Sequence, residues 1–394
     1  MLRHICMMSF LPQKMQLRIG ITALIGQPKC IIREDISESS IHQIEERSSV
    51  MRKIIGCMIL FVTILLCVGN SNELLAAENT SIAITKENFP DKGLREIIVW
   101  ECDRNKDRVL SKEEIQEVKE ISIGYDEEME DYDLKGLSRL SELEKVEIEA
   151  FEVKNVKELE KLPHLQYLRI MTLDSCPVTT DKNPEIEELE LDVPIKRLDL
   201  SKNKKLKSLD LENSEVKKLS ICNLPKLKYV RLVKNTTKSV VIKNCPKLRT
   251  FRGNENNKMQ TMSIKQLPVL KYLKIGNAKR LKKLTFSLLP QLKELSIGRN
   301  LVKKLDFKKT PNLKMLYVKR NKKITKLDLR PLKKLCNFEW QWGILRKIQF
   351  GKKKYLGLLD VNHNKLKKLD IRNMRRLSRK HVYVAGNPNI KILK

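Results

Sequence analysis

Glycine and proline are scarce in this chain of 394 residues, which has 14 of each and no low-complexity stretch. A chain with this composition is not expected to be disordered. No glycine-rich phosphate loop is present, and none of the five histidines has a cysteine or acidic partner at the spacing of a metal site or a catalytic triad. These absences predict that the protein is not an enzyme.

Cysteine does not occur in the paired spacing of a disulfide framework or a zinc site. Of the nine cysteines, four precede residue 77, and five follow it: Cys102, Cys176, Cys222, Cys245 and Cys336. An odd number of such residues is more typical of small core side chains. Only Cys222 and Cys245, on neighbouring turns of the repeat described below, are placed so that they could form a disulfide.

The apolar run at residues 54–69 is shorter than the roughly 20 residues that a membrane-spanning helix needs. It follows Met51-Arg52-Lys53 and precedes Leu75-Ala76-Ala77, which is the order of a signal peptide. We therefore predict that Met51 is the start, that cleavage follows Ala76 or Ala77, and that the protein is secreted or lies at the cell surface. If Met1 is the start instead, residues 1–50 form an extension and residues 51–77 could remain as a membrane anchor.

Charge is unevenly distributed along the chain. Lys and Arg total 79 against 48 Asp and Glu, a net charge of +31. Residues 78–150 carry a net charge of −10, whereas residues 151–394 carry +39. A body this basic favours an acidic protein, a polyanion or an anionic surface as its partner.

Residues 103–114 match the spacing of an EF-hand calcium loop. Apolar residues on both sides predict flanking helices, so residues 78–125 are expected to form a small helical head. Arg108 stands where the loop needs glycine, so a loop that keeps its shape without metal remains an alternative. If the loop binds Ca²⁺, the ion has a structural role and its ligands are Asp103, Asn105, Asp107, the Val109 carbonyl, Ser111 and Glu114.

From residue 195 the chain divides into units of ten or eleven residues of the form L-x-x-L-x-L, in two alternating sets. Each set repeats every 21 or 22 residues, so one structural unit is stacked many times. The first set carries asparagine at its ninth position, where the side chain can bond backbone groups inside the turn. These asparagines are Asn235, Asn256, Asn300, Asn321 and Asn364, with Asn213 one place early.

In this motif the chain resembles the bacterial leucine-rich-repeat proteins of the nested ten-plus-eleven-residue type, over about Leu134 to the C-terminus. The head, with Asn88-Phe89-Pro90-Asp91 ahead of the loop, is similar to that of secreted leucine-rich-repeat proteins of Gram-positive anaerobes. The resemblance implies an α/β-type curved solenoid dominated by parallel β over residues 126–394, with a parallel sheet on its concave face. It also implies protein or ligand binding at the cell surface.

Outward positions of the first set place cations beside tyrosines, a combination that suits an acidic protein or an anionic cell-surface polymer. Alternatives are ordinary surface decoration, nucleic-acid binding inside the cell, and association of the acidic head with the basic body of another copy. The second set carries paired lysines, which we interpret as a solvated face, while Trp342 is free to contact a partner. The candidate ligand-binding residues are Lys228, Tyr229, Arg231, Arg249, Arg252, Lys271, Tyr272, Lys274, Lys314, Tyr317 and Trp342.

Overall fold

The computed structural model describes residues 81–124 and 130–393. The predicted signal peptide, its cleavage site and the apolar run at residues 54–69 lie outside this part of the chain. Within it, no helix has both the length and the apolar character needed to cross a bilayer.

Two helices and a short antiparallel pair of strands precede the repeats. Helix α1 spans Lys92–Glu101, and the Asp91 carboxylate caps it by accepting from Leu94 N at 2.7 Å. Helix α2 spans Lys112–Glu117 and begins with a capping box between Ser111 and Glu114. The helices flank residues 103–111.

The strands run in a regular series to the end of the chain. In chain order they are β1 (Ile82–Ala83), β2 (Val109–Leu110), β3 (Glu120–Ile123), β4 (Tyr132–Asp133), β5 (Lys145–Ala150), β6 (Val153–Lys154), β7 (Tyr167–Thr172), β8 (Glu188–Asp192), β9 (Ser208–Glu212), β10 (Lys218–Cys222), β11 (Tyr229–Val233), β12 (Ser239–Lys243), β13 (Thr250–Asn254), β14 (Thr261–Lys265), β15 (Tyr272–Ile275), β16 (Lys283–Phe286), β17 (Glu294–Gly298), β18 (Met315–Lys319), β19 (Lys326–Asp328), β20 (Asn337–Gln341), β21 (Lys347–Gln349), β22 (Leu358–Asp360), β23 (Lys368–Asp370), β24 (Val382–Tyr383) and β25 (Lys391–Leu393).

Thirteen parallel strands of the described residues form one long sheet, in the order β3-β5-β7-β8-β9-β11-β13-β15-β17-β18-β20-β22-β24. The alternate strands form shorter parallel sheets, of which the largest is β10-β12-β14-β16 and is called the lateral sheet here. This arrangement confirms the predicted parallel-β solenoid. The long sheet already begins at β3, before the boundary at residue 126 that the sequence predicts.

Burial follows the L-x-x-L-x-L pattern. In β11, Val230 and Leu232 are buried while Arg231 between them faces outward, and the neighbouring strands repeat this alternation. One turn cannot cover its own apolar side chains, so the core is continuous from turn to turn. In β13 a glycine takes an inward position, and the large ring of Phe251 lies against it, 3.1 Å from where a Cβ on Gly253 would stand.

Buried asparagines satisfy backbone groups inside the turns, as predicted. The Asn256 side-chain amide donates to Leu232 O at 2.9 Å, and its oxygen accepts from Asn235 N at 3.0 Å. Asn235 forms the same pair of bonds with Leu211 O and Ser214 N. The prediction that Asn213 belongs to this series is wrong, because Asn213 is exposed at a φ of 51° and Ser214 fills the inward position. Three buried asparagines extend the series beyond the predicted set: Asn183, Asn203 and Asn387.

The cysteines of the described residues are free thiols, so the disulfide left open between Cys222 and Cys245 does not form. Cys245 is buried and its thiol faces Ile221 O at 3.7 Å, whereas Cys222 accepts from the Ser220 hydroxyl at 3.2 Å. Burial raises the pKa of Cys102 and of Cys176 to about 12. These two cysteines are small core side chains, as predicted.

Candidate functional site

The long sheet brings the predicted ligand-binding residues into columns at the spacing of adjacent parallel strands, about 4.8 Å. Tyr229, Thr250 and Tyr272 are in register on β11, β13 and β15. A second outward column contains Arg231, Arg252, Lys274, Ser296 and Tyr317. A third runs through the residues that precede each strand, and the backbone bond from Arg249 N to Lys228 O is followed by one from Lys271 N to Arg249 O.

Two of the predicted cations are engaged in salt bridges within the chain. Arg231 bonds Asp210 at 2.8 Å and Glu212 at 2.9 Å, and Lys274 bonds Glu294 at 2.9 Å. Their charges are largely neutralised by these neighbours, so they are poor candidates for binding a separate anion. These acidic partners, about one turn away in the repeat, make ligand binding by Arg231 and Lys274 less favourable than the sequence predicts.

Other predicted cations make no salt bridge to any described residue. They are Lys228, Arg249, Arg252 and Lys314, which are exposed, and Lys271, which is half-buried. Half-buried tyrosines accompany them, and the Tyr317 hydroxyl accepts from the Asn337 amide at 3.4 Å. We call this surface the basic long-sheet patch, defined as Lys228, Tyr229, Arg249, Arg252, Lys271, Tyr272, Lys314 and Tyr317.

An acidic surface that sequence reasoning missed lies next to this patch, on β7, β8 and β9. A cavity of about 120 Å³ there is lined by Arg169, Glu190, Asp192, Asp210, Glu212 and Arg231, together with Ile170, Met171 and Leu191. Burial raises the pKa of the Glu190 carboxyl, and the charge of Asp210 adds to the effect. Burial also raises the pKa of Asp210, although its bond to Arg231 opposes the shift. This surface could have been predicted from the sequence, because residues 188–192 and 208–212 carry acidic side chains at outward positions.

Trp342 does not join the tyrosine column. It lies in the turn after β20, at a φ of 54°, and 46% of its surface is exposed. Its ring stacks on the imidazole of His363 with the centroids 3.7 Å apart. Trp340, at an inward position of β20, is fully buried.

The structure gathers the predicted calcium-loop residues into a turn held by their own hydrogen bonds. The Asp103 carboxylate accepts from Arg108 N, Asn105 from Asp107 N, and Asp107 from Val109 N, at 2.7 to 2.9 Å. Lys106 and Arg108 adopt positive φ values of 61° and 64°, so the backbone takes the left-handed form that the pattern requires, without glycine.

The Glu114 carboxylate bonds both ends of the loop. It accepts from Arg104 N at 2.9 Å and from the backbone and hydroxyl of Ser111 at 2.8 Å each. Burial alone would raise the pKa of Glu114, but the hydrogen bonds from Ser111 and Arg104 lower it overall. Asp103 is only 2% exposed, and its Oδ1 has no hydrogen-bond partner. Among the described residues, no three His, Cys, Asp or Glu side chains are grouped closely enough to hold a metal ion.

A second surface that sequence reasoning missed surrounds Trp100 on α1, which is 81% exposed. A cavity of about 350 Å³ beside it is lined by Lys92, Arg95, Glu96, Val99, Trp100, Lys106 and Arg108. Lys106 Nζ lies 5.7 Å from the centre of the Trp100 ring. The surface is basic although residues 78–150 are acidic as a whole, so its charge is masked in the composition of the segment.

No family model and no curated protein sequence matches this chain. Among solved structures it is similar to the functional domain of InlJ from Listeria monocytogenes, at 16% identity over 76% of this chain and 75% of that one, with a TM-score of 0.44. The internalin InlF from the same species is 17% identical over 80% and 98%, also at 0.44. The APL1 leucine-rich-repeat domain is 15% identical over 66% and 65%, at 0.47. The fold is a leucine-rich-repeat solenoid. The ladder of parallel strands in the chain's own structure shows this fold. The neighbours share little sequence with the chain.

Proposed function

We propose that this protein is an exported, non-catalytic binding scaffold whose basic long-sheet patch binds an acidic protein segment or an anionic polymer at the bacterial cell surface. The observation that supports this most strongly is the set of five cations without salt bridges on or just before β11, β13, β15 and β18, while Arg231 and Lys274 beside them are paired. Uncompensated like charges on neighbouring turns repel one another, and an anionic partner relieves that repulsion.

The tyrosines of the patch add contact area between the cations. Tyr229 and Tyr272 occupy one column with Thr250 between them, so an extended partner lying across the strands meets a ring on alternate turns and the cations of the neighbouring columns beside it. Exposed charge contacts are individually weak, at about 1 kcal/mol or less each. Binding that depends on several of them is therefore expected to be moderate in affinity and sensitive to salt.

The experiment is retention of the purified protein on washed envelopes of a Gram-positive bacterium across a series of salt concentrations. The variant Arg249→Glu/Arg252→Glu/Lys271→Glu is expected to lose most retention at physiological salt. The matched control, Lys217→Glu/Lys238→Glu/Lys265→Glu, makes the same charge change on the lateral sheet and is expected to retain binding. Retention that persists in high salt, or is equal for the two variants, would overturn the proposal.

Export is proposed from the signal-peptide order of residues 51–77. N-terminal sequencing of the protein from a fractionated culture tests it. A mature N-terminus after Ala76 or Ala77 in the medium or envelope fraction supports export, whereas an intact N-terminus in the cytosol contradicts it.

The second candidate function is nucleic-acid binding inside the cell, which the net charge of +39 on residues 151–394 favours. It requires that the chain remain in the cytoplasm. Association with a labelled oligonucleotide that weakens steeply with salt is expected in vitro from charge alone. The cellular fraction that contains the protein therefore decides between the two functions.

We further propose that residues 103–114 bind Ca²⁺ in a structural role. The oxygen-only ligand set is of the kind that Ca²⁺ prefers, and the partnerless, buried Oδ1 of Asp103 is suited to a cation. Val109, Ser111 and the side chains of Asn105, Asp107 and Glu114 complete the predicted set. Glu114 would have to release part of its bonding to Ser111 and Arg104, which favours modest affinity.

A further inference from the structure

Helix α1 presents the most exposed large apolar side chain of the described residues. Leu94 and Ile98 on one side of the helix are buried, whereas Trp100 on the other side is 81% exposed. An indole ring is mostly apolar, so its exposure to water forgoes the free energy that burial would give. An aromatic ring with charged side chains around it is typical of the centre of a protein interface.

The cavity beside Trp100 is basic. Its charged lining consists of four cations and one acid, namely Lys92, Arg95, Lys106, Arg108 and Glu96. Lys92 pairs with Glu96 at 3.7 Å. Lys106 and Arg108 are exposed and make no salt bridge to any described residue. We call Lys92, Arg95, Val99, Trp100, Lys106 and Arg108 the basic head surface.

The two unpaired cations of this surface stand at strained backbone positions. Lys106 and Arg108 have φ values of 61° and 64°, in the region that favours glycine. Position 108 is also the one at which a calcium loop of this spacing carries glycine. The chain therefore keeps a long cationic side chain where glycine would relieve the strain, and backbone strain of this kind is typical of functional sites.

The acidic surface on β7, β8 and β9 has the complementary charge. Strand β8 directs three acids outward: Glu188, Glu190 and Asp192. Glu190 lies 3.9 Å from Arg169, whereas Glu188 and Asp192 make no salt bridge to any described residue. Met171, half-buried and in register with Asp192, lines the cavity of this surface. A methionine thioether beside acids offers an apolar contact that suits an aromatic ring.

Each of the two surfaces opposes the charge of the segment that contains it. The basic head surface lies in residues 78–150, which carry −10, and the acidic surface lies in residues 151–394, which carry +39. Both lie near the same end of the long sheet. The Glu101 carboxylate at the end of α1 accepts from Ser122 N on the edge strand β3 at 3.1 Å, and β8 is the fourth strand from that edge.

We propose that the basic head surface binds the acidic surface of a second copy of this chain. Lys106 and Arg108 meet the outward acids of β8, and Trp100 packs on Met171. A two-fold arrangement makes this contact twice and closes at a dimer. The polarity is the reverse of an acidic head on a basic body, which the charges of the two segments suggest. The basic long-sheet patch takes no part, so dimerisation is independent of the proposed function.

The test is sedimentation equilibrium of the full chain at physiological salt with a chelator, from about 1 µM to about 1 mM protein. A mass that rises toward the dimer is expected, because this salt limits the repulsion between the net charges of +31 to a range of about 8 Å. Lys106→Glu/Arg108→Glu, Glu188→Lys/Asp192→Lys and Trp100→Ala should each weaken dimerisation about tenfold or more. A monomer mass at every concentration would overturn the proposal.

Matched controls make the same charge changes at exposed positions outside the two surfaces. Lys217→Glu/Lys218→Glu reverses two cations, and Asp181→Lys/Glu215→Lys reverses two acids. Both variants are expected to dimerise within about twofold of the wild type, because salt screens charges that are distant from the contact. Equal dimerisation of the wild type, the controls and the surface variants would show that the copies associate elsewhere, which contradicts the proposal.

Exchange of the charges tests the pairing itself. A chain that carries both Lys106→Glu/Arg108→Glu and Glu188→Lys/Asp192→Lys is expected to dimerise again, because its two surfaces are once more opposite in charge. If this chain associates as weakly as each parent variant, the two surfaces do not meet. The Arg249→Glu/Arg252→Glu/Lys271→Glu protein should dimerise normally while losing retention on envelopes, so a failure of this proposal and a failure of the proposed function are distinguishable.

Discussion

Lys353 is fully buried at a position that Leu332 occupies in the preceding turn and Met374 in the following one. Its ammonium donates to Phe350 O at 2.5 Å, and no carboxylate of the described residues forms a salt bridge with it. Burial lowers the pKa of Lys353 from 10.5 to about 8, while the distant charge of Asp328 opposes the shift slightly. The charged form is therefore costly in the folded state.

Replacing this lysine should stabilise the protein. The folded pKa lies below the unfolded value, so the penalty is fully present below about pH 8 and disappears as the pH rises from about 8 to 10.5. Lys353→Leu is expected to raise the free energy of unfolding at pH 7 by roughly 1–3 kcal/mol, with a smaller gain at pH 10. Urea denaturation at both pH values measures this. Lys352→Leu, at an exposed neighbour, is the control, and an equal gain there would contradict the assignment.

The buried asparagines provide a second test at the scale of a single residue. Asn256→Ala removes the partners of Leu232 O and Asn235 N, and should lower the free energy of unfolding by about 2–4 kcal/mol. Asn257 is exposed, and Asn257→Ala should change stability by less than about 0.5 kcal/mol. Similar denaturation midpoints for the two variants would show that the ladder of asparagines is not needed.

At the scale of elements, the strands could be predicted because each turn repeats one burial pattern every 21 or 22 residues. The break in the lateral sheet after β16 could not be predicted in this way. Residues 302–307 match the repeat as well as their neighbours do. The hydrogen bond from Lys308 N to Asp306 does not explain the break, because the same bond, from Arg330 N to Asp328, follows strand β19.

The salt bridges of Arg231 also could not be predicted from the sequence. The Arg231–Asp210 pair is separated by 21 residues and forms only because both face outward in one column of adjacent strands. Knowing the column allows the pairing to be inferred, but the choice among nearby acids depends on side-chain geometry. The outward columns were therefore predicted from the repeat, and the structure separates their unpaired cations from their paired ones.

The loop between α1 and α2 gives a prediction for the head. If it binds Ca²⁺ as proposed, calcium at a hundredfold excess over its Kd should stabilise the folded protein by about 2.7 kcal/mol. Thermal melts with calcium, with magnesium and with a chelator measure this. Asp103→Asn should remove the calcium response while keeping the bond from Arg108 N. Identical melts of the wild type in calcium and in chelator would contradict the proposal.

At the scale of the whole molecule, charge is segregated along the long sheet. The acidic surface on β7 to β9 adjoins the basic long-sheet patch on β11 to β18, and Arg231 bridges the boundary through Asp210 and Glu212. A partner that covers only the basic patch must be acidic. A partner that covers both surfaces must carry acidic groups opposite the basic patch and basic groups opposite the acidic surface. The net charge of the chain alone does not distinguish these partners.

The most direct test of binding at the basic patch is photo-crosslinking from two positions of one outward column. Tyr167 on β7 and Tyr272 on β15 are related by the strand register, and both are half-buried, but they lie in the acidic and basic parts of the sheet. A benzophenone amino acid is placed at each position, and the protein is irradiated on envelopes. Crosslinks to an envelope component are expected from position 272 and not from position 167. Equal crosslinking from both positions, or none from 272 while the protein is retained, would contradict the proposed site.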